Sequence, residues 1–248
     1  MAGTTPTDMA GTSGHIDPDA LSRSLHSLRE SVAGAAVEDA LGEVLRGACV
    51  VFAVSGTGLM VIDESRALRY VAATDATGRA LEQMQERAGH GPCVDALVLD
   101  KVVQSPDLRE DERWPEIRPD ISRYDVRAVL GVPVHLGGEA VGALDGYLDR
   151  PYEWDDTHVR ALQAYADLIG SLLAGAIQAR QRSELAEQLQ HALNSRVVIE
   201  RAIGMIMGLE GVDAVTAFNR LRRAARSRRE RVSELAGRVL GGLRLDRD

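Results

Sequence analysis

Lysine is almost missing from this 248-residue chain: Lys101 is the only one among 29 basic residues. It follows Asp100 rather than a glycine-rich turn, so no phosphate loop ending in Gly-Lys exists. A phosphoacceptor receiver domain also wants a lysine after its aspartate, and nothing else here resembles one. Cysteine is equally scarce. Cys49 and Cys93 are too few for a disulfide framework or a four-cysteine zinc site. The six histidines show no HExxH or paired-ligand spacing, so neither a metal site nor a cofactor is expected. No Gly-x-Ser-x-Gly elbow occurs, and no residue is assigned a catalytic role. The apolar runs are short and broken by glycine and charge, well under the ~18 residues of a membrane-spanning helix. Residues 1–18 have neither a basic start nor an apolar block, which argues against a secretory signal. The expectation is a cytoplasmic protein without a membrane partner.

What is present suffices for a packed core: 45% of residues are hydrophobic, in a length that suits one large domain or two smaller ones. The charge is unevenly placed. From Asn194 onward there are twelve arginines against seven acids, a tail of +5. The remainder carries 17 basic and 30 acidic residues, a body of −13. A basic tail on an acidic body points to a polyanionic partner, with a merely solvated charged face as the alternative.

Residues 1–20 read as a disordered lead, rich in Thr, Gly, Asp and Ala. Apolar residues at Leu21, Leu25, Leu28, Val32, Ala36, Leu41 and Leu45 follow helical spacing, predicting one helix. The run Ala48-Cys-Val-Val-Phe-Ala-Val and the segment Gly58-Leu-Met-Val-Ile read as buried strands, and Arg69-Tyr-Val-Ala-Ala as a third. Residues 80–87 look helical. Gly89-His-Gly-Pro-Cys is a turn, followed by strand-like Val102-Val-Gln. Strands over 128–135 and 140–148 flank Gly137-Gly138, a hairpin signal. This order fits an α+β domain on an antiparallel sheet with flanking helices.

From 155 to 208 the pattern becomes a long helix. Val159, Leu162, Ala166, Ile169, Leu173 and Ala176 form one seam, and Leu185, Leu189, Ala192, Ile199, Ile203 and Ile206 a second, slightly out of phase. So long an apolar stripe asks for a partner, and a parallel homodimer covers it. Two ordinary helices packed on their own domains are the alternative, favoured by Gly170 and Gly175. Beyond Gly211, Asp213 suits an N-cap. Ala217, Phe218, Leu221 and Ala225 form one helical face, and Leu235, Ala236, Val239 and Leu240 another, making a three-helix unit with the end of the long helix.

Arg196-Val-Val-Ile-Glu-Arg-Ala-Ile-Gly-Met-Ile-Met, then Asp213-Ala-Val-Thr-Ala-Phe-Asn-Arg-Leu-Arg-Arg-Ala-Ala-Arg-Ser, then Glu234-Leu-Ala, resembles the ANTAR family over 185–242. That resemblance implies an all-α three-helix module that binds paired RNA stem-loops and prevents transcription termination. Many members carry Lys at the position of Ile203, Asn at that of Arg229 and a basic residue at that of Ser233. Gly89-His-Gly-Pro-Cys-Val-Asp-Ala, Val102-Val-Gln-Ser-Pro-Asp-Leu, Arg113-Trp-Pro, Val129-Leu-Gly-Val-Pro-Val and Val141-Gly-Ala-Leu resemble a GAF sensor domain over 21–178. The kind is the one fused to ANTAR in actinobacteria. A long coiled-coil helix over 155–208 would overlap both domains.

The resemblance makes the arginines of the tail the candidate RNA contacts: Arg222, Arg223, Arg226, Arg229 and Arg231. Arg222, Arg226 and Arg229, at i, i+4 and i+7, would form one helical stripe. Guanidinium groups pair with phosphate in a fork and stack on unpaired bases, which suits an RNA loop. Cys93, Asp95, Asp107 and Trp114 would border a GAF pocket for an unidentified small molecule. Cys93 is otherwise a small structural cysteine, His90 a turn residue rather than a haem ligand, and Trp114 a core anchor. Two rival functions remain. A GAF-type thiol reductase would need Cys49 and Cys93 to meet, and a DNA-binding regulator would send the basic three-helix unit into a major groove.

Overall fold

The computed structural model describes residues 15–63, 68–178 and 184–245, with the side chains of 184–188 and 190–196 excepted. The described residues open with α1 (Pro18–Ser31), whose first turn, expected within a disordered lead, is capped by Asp17: its carboxylate accepts from the Asp19 N–H at 3.0 Å. A turn containing Gly34, at φ +83°, leads into α2 (Val37–Phe52). One helix and then a strand were expected here; two helices are found. The apolar run at 48–52 continues α2 because Leu41, Val44, Leu45, Ala48 and Phe52 keep three- and four-residue spacing and bury one face. A short apolar run has no period of its own to separate strand from helix. Ala53, left-handed at φ 49°, ends the helix.

Five strands follow: β1 (Gly56–Ile62), β2 (Leu68–Ala73), β3 (Val103–Ser105), β4 (Ala128–Leu136) and β5 (Glu139–Leu148). They form one antiparallel sheet in the order β2-β1-β5-β4-β3. The β4–β5 hairpin turns on Gly137 and Gly138, both at positive φ, as a two-residue loop matched to strand twist requires. Between the strands lie α3 (Ala76–Ala88), α4 (Pro92–Leu99) and the short α5 (Arg118–Ile121). Pro92 and Cys93, expected at the end of the turn, already belong to α4, because Pro92 at the first helical positions presets the backbone.

Side-chain alternation along β1 shows which helices cover which face. The Thr57 hydroxyl donates to the Leu45 carbonyl of α2 at 3.0 Å, while Gly58, one residue on, faces Glu82 of α3. Thus α2 and α6 (Asp156–Gln178) pack on one face, and α3 and α4 on the other. A single large core fills both layers, including Leu59, Ile62, Leu81, Trp114, Leu144 and Tyr165.

The chain ends in α7 (Glu184–Glu210), α8 (Ala214–Arg228) and α9 (Val232–Leu240). Ile199, Ala202, Ile206, Ala217, Leu221, Ala225, Leu235 and Val239 form their own core. In place of the one long helix expected over 155–208 there are two, α6 and α7, and α7 packs back against α6 and β1; residues 179–183 between them lie outside the described residues. The second seam differs from expectation. Leu189 is buried in the N-terminal core, and Ile199 and Ile206 in the C-terminal one. These positions are covered by their own chain and need no second copy to shield them, while Leu185 and Ala192 lie among the side chains not described.

Candidate nucleic-acid face and buried acid–thiol chamber

Asp213 begins α8. Its carboxylate accepts from the Thr216 N–H and the Thr216 hydroxyl, both at 2.8 Å, and these bonds hold its pKa below the ordinary aspartate value. Ala217, Phe218, Leu221 and Ala225 then bury one face, which leaves the arginines to the others. Arg223, Arg226, Arg229 and Arg231 are exposed. The expected stripe of Arg222, Arg226 and Arg229 is broken at its end: α8 stops at Arg228, and Arg229 is its left-handed cap at φ 54°. Arg231 is the N-cap of α9, its N–H donating to the Glu234 carboxylate at 3.4 Å.

Arg222 is different again. Its guanidinium lies against Gly89 at the end of α3, where any β-carbon would collide with it. Burial lowers its pKa, and Arg226 and Arg69 lower it further; Asp63 and Glu86 act in the opposite direction. One turn earlier, the buried Asn219 places its Nδ2 3.1 Å from His90 Nε2, donating when that nitrogen is unprotonated. Phe218 completes the contact, bordering a small pocket with Leu97, Val98 and Ala140. The arginine-bearing helix is therefore docked on the 89–92 turn and α4, with one candidate RNA contact facing the acidic body.

Just beneath that turn lies a feature missed in the sequence. Cys93, in the first turn of α4, is fully buried and its thiol donates to Asp145 Oδ2 at 3.1 Å. Asp145 stands in the middle of β5, paired with Gly58 on β1 and Gly131 on β4. The missing side chain at Gly58 makes room for a third group, Glu82 of α3, itself fully buried. Gln85 fastens the assembly: its Oε1 accepts from the Cys93 N–H at 2.8 Å, and its Nε2 donates to Glu82 Oε2 at 3.4 Å. Glu82, Cys93 and Asp145 each bring one ligand atom within 4.8 Å of the others. Burial pushes all three pKa values up, the thiol and Glu82 further through the negative charge of Asp145. Two signals were available: a carboxylate inside the apolar strand Ala143-Leu-Asp-Gly-Tyr, and Glu82 with Gln85 on the buried face of α3.

The other expected pocket residues do not join this chamber as a set. The Trp114 indole, almost wholly buried, donates to Asp95 Oδ2 at 2.9 Å, and Arg113 lies 4.2 Å over its ring. Asp107 is bound by Arg127, which holds its carboxyl below the usual range. Cys49 and Cys93 are both free thiols on opposite sides of the sheet, α2 carrying one and α4 the other. Cys49 donates to the Val54 carbonyl at 3.3 Å.

A five-stranded antiparallel sheet in this order, with helices on both faces, is the GAF architecture. The chain belongs to the GAF domain family, which matches residues 34–173. Residues 187–240 match the ANTAR domain, so the whole is a GAF–ANTAR chain. No curated protein matches it. Similar solved structures include the GAF domain of an Acinetobacter phosphoenolpyruvate-protein phosphotransferase, at 14% identity and TM-score 0.53, covering 64% of this chain and 96% of that one. The corresponding domain from Coxiella burnetii is 18% identical, with TM-score 0.53 and coverage of 65% and 96%. Free methionine-R-sulfoxide reductase from Neisseria meningitidis, solved with its substrate, is 16% identical, with TM-score 0.53 and coverage of 69% and 99%. These likenesses concern the fold alone. Among the described residues no helix is long and apolar enough to cross a membrane.

Proposed function

We propose that this chain is a signal-responsive regulator of transcription termination, in which the ANTAR unit of a homodimer binds paired RNA stem-loops. The GAF domain would receive the signal, a small molecule or a partner. The observation that carries the reading is the set of exposed arginines at the α8–α9 end, Arg223, Arg226, Arg229 and Arg231, in a domain of the ANTAR family. The docking of Arg222 and Asn219 on the sensor would be one state of a two-state element. A signal that favours the undocked form would shift the population toward RNA binding, to the extent that it binds the two forms differently.

The reductase alternative loses its support, since Cys49 and Cys93 sit across the sheet from each other. Replacing Arg226 and Arg229 with Gln tests the RNA reading. Each lost phosphate contact should reduce the slope of log affinity against log salt by about 0.7 on single-stranded RNA. Unchanged stem-loop affinity and slope in the double variant refute the assignment. Tighter binding to duplex DNA than to the stem-loop would favour the DNA-binding alternative.

A further inference from the structure

We propose that Glu82, Cys93 and Asp145 form a binding site for a thiophilic divalent transition-metal cation such as Zn²⁺. Three ligand atoms from three separate elements converge within 4.8 Å. The Zn–S and Zn–O bond lengths place tetrahedral ligand atoms roughly 3.3–3.8 Å apart, so only small side-chain adjustments close the site. The second observation is that Glu82 Oε1 and Asp145 Oδ1, each on a fully buried side chain, accept from no other residue's donor, and the two carboxyls have only each other, through a shared proton, unless a cation stands between them. Buried polar atoms are nearly always satisfied, and a pair of orphaned carboxylate oxygens beside a thiol asks for a positive group between them. Among the described residues no guanidinium, ammonium or imidazole touches them. Gly58 and Gly131 flank Asp145 on both neighbouring strands, and at Gly58 a β-carbon would occupy the space of Glu82 Oε1.

The donor set decides the class of ion. A thiolate selects zinc-like cations over Mg²⁺ and Ca²⁺, which prefer all-oxygen shells. Binding takes the thiol proton and any carboxyl proton to solvent, leaving one thiolate and two carboxylates around the cation. Three protein ligands leave the fourth tetrahedral position for water or an incoming ligand. Gln85 orients the set from outside, through its bonds to Glu82 and to the Cys93 N–H.

The test is titration of the full, chelator-treated chain with Co²⁺, followed by absorption, and with Zn²⁺, followed by calorimetry. One equivalent should bind with a thiolate-to-cobalt charge-transfer band, Zn²⁺ should displace it, and Mg²⁺ or Ca²⁺ should not. Cys93→Ser should abolish the band. Glu82→Gln and Asp145→Asn, which remove buried charge without changing shape, should keep the fold by circular dichroism yet lose most of the affinity. Gln85→Ala should weaken binding about 10–100-fold. No stoichiometric binding, or binding indifferent to Cys93, overturns the site and leaves a carboxyl pair sharing a proton. Because the readout uses no RNA, its failure is separate from failure of the regulatory reading.

Discussion

Arg229 has a backbone that arginine rarely adopts. At φ 54° its β-carbon crowds the adjoining carbonyl, a conformation that costs a non-glycine residue roughly 1–2 kcal/mol. The chain accepts this because the left-handed turn lets the Arg229 N–H return to α8 carbonyls and aims the chain toward α9. It also accounts for asparagine at this position in many ANTAR sequences, since asparagine tolerates the left-handed region. Arg229→Asn should therefore raise the stability of the ANTAR unit by a few tenths of a kcal/mol up to about 1 kcal/mol. Thermal denaturation checks the sign, and a lower midpoint would mean that the arginine side chain contributes more than its backbone costs.

At the scale of elements, α8 depends on its start as much as on its apolar face. Asp213 satisfies two donors of Thr216, and the carboxylate must be ionised to do so fully. Its pKa is depressed in the folded chain. The stabilisation it provides is thus complete above the unfolded aspartate value of about 3.9 and disappears as pH falls through the lower folded value. Asp213→Ala should cost about 0.5–2 kcal/mol near neutrality. The gap from the parent chain should shrink below about pH 4. Denaturation midpoints across pH 2–7 measure it, and a gap independent of pH would assign the effect to helix propensity instead. The turn before α4 is the other decisive element. Gly89 is left-handed, at φ 72°, and bare of the β-carbon that would strike Arg222, while Gly91 at φ 141° lets Gln85 reach Cys93. One short segment thereby touches the basic helix on its outer side and the acid–thiol chamber on its inner side.

For the molecule as a whole, the −13 body and +5 tail are parts of one chain, and under the proposed function the acidic part would compete with RNA for the tail. Gly89→Ala should dislodge Arg222, and Asn219→Ala should remove the bond to His90. Either variant should speed amide exchange in α8 and its seat on α4, and tighten stem-loop binding several-fold at constant salt. The competition should weaken with ionic strength, because charges more than about 8–10 Å apart are screened. Faster exchange without a change in affinity would show that docking does not restrain RNA binding. Unchanged exchange would show that the contact is not a two-state element.

What the sequence by itself determined is what local periodicity and motif spacing encode: the antiparallel α+β domain, the β4–β5 hairpin at Gly137-Gly138, the Asp213 cap and the three-helix basic tail. Each of these is written in residues within a turn or two of one another, where period and cap chemistry act. Only the tertiary structure decided that residues 48–52 extend α2, because an apolar run of five satisfies either period until its packing partners are known. It also decided that Leu189 and Ile206 belong to separate cores of the same chain, since the apolar spacing of a helix does not specify what covers it. The chamber was decided there too: Glu82, Cys93 and Asp145 come from two helices and a strand, up to 63 positions apart. Their meeting depends on sheet register, which sets Asp145 between two glycines and beneath α3.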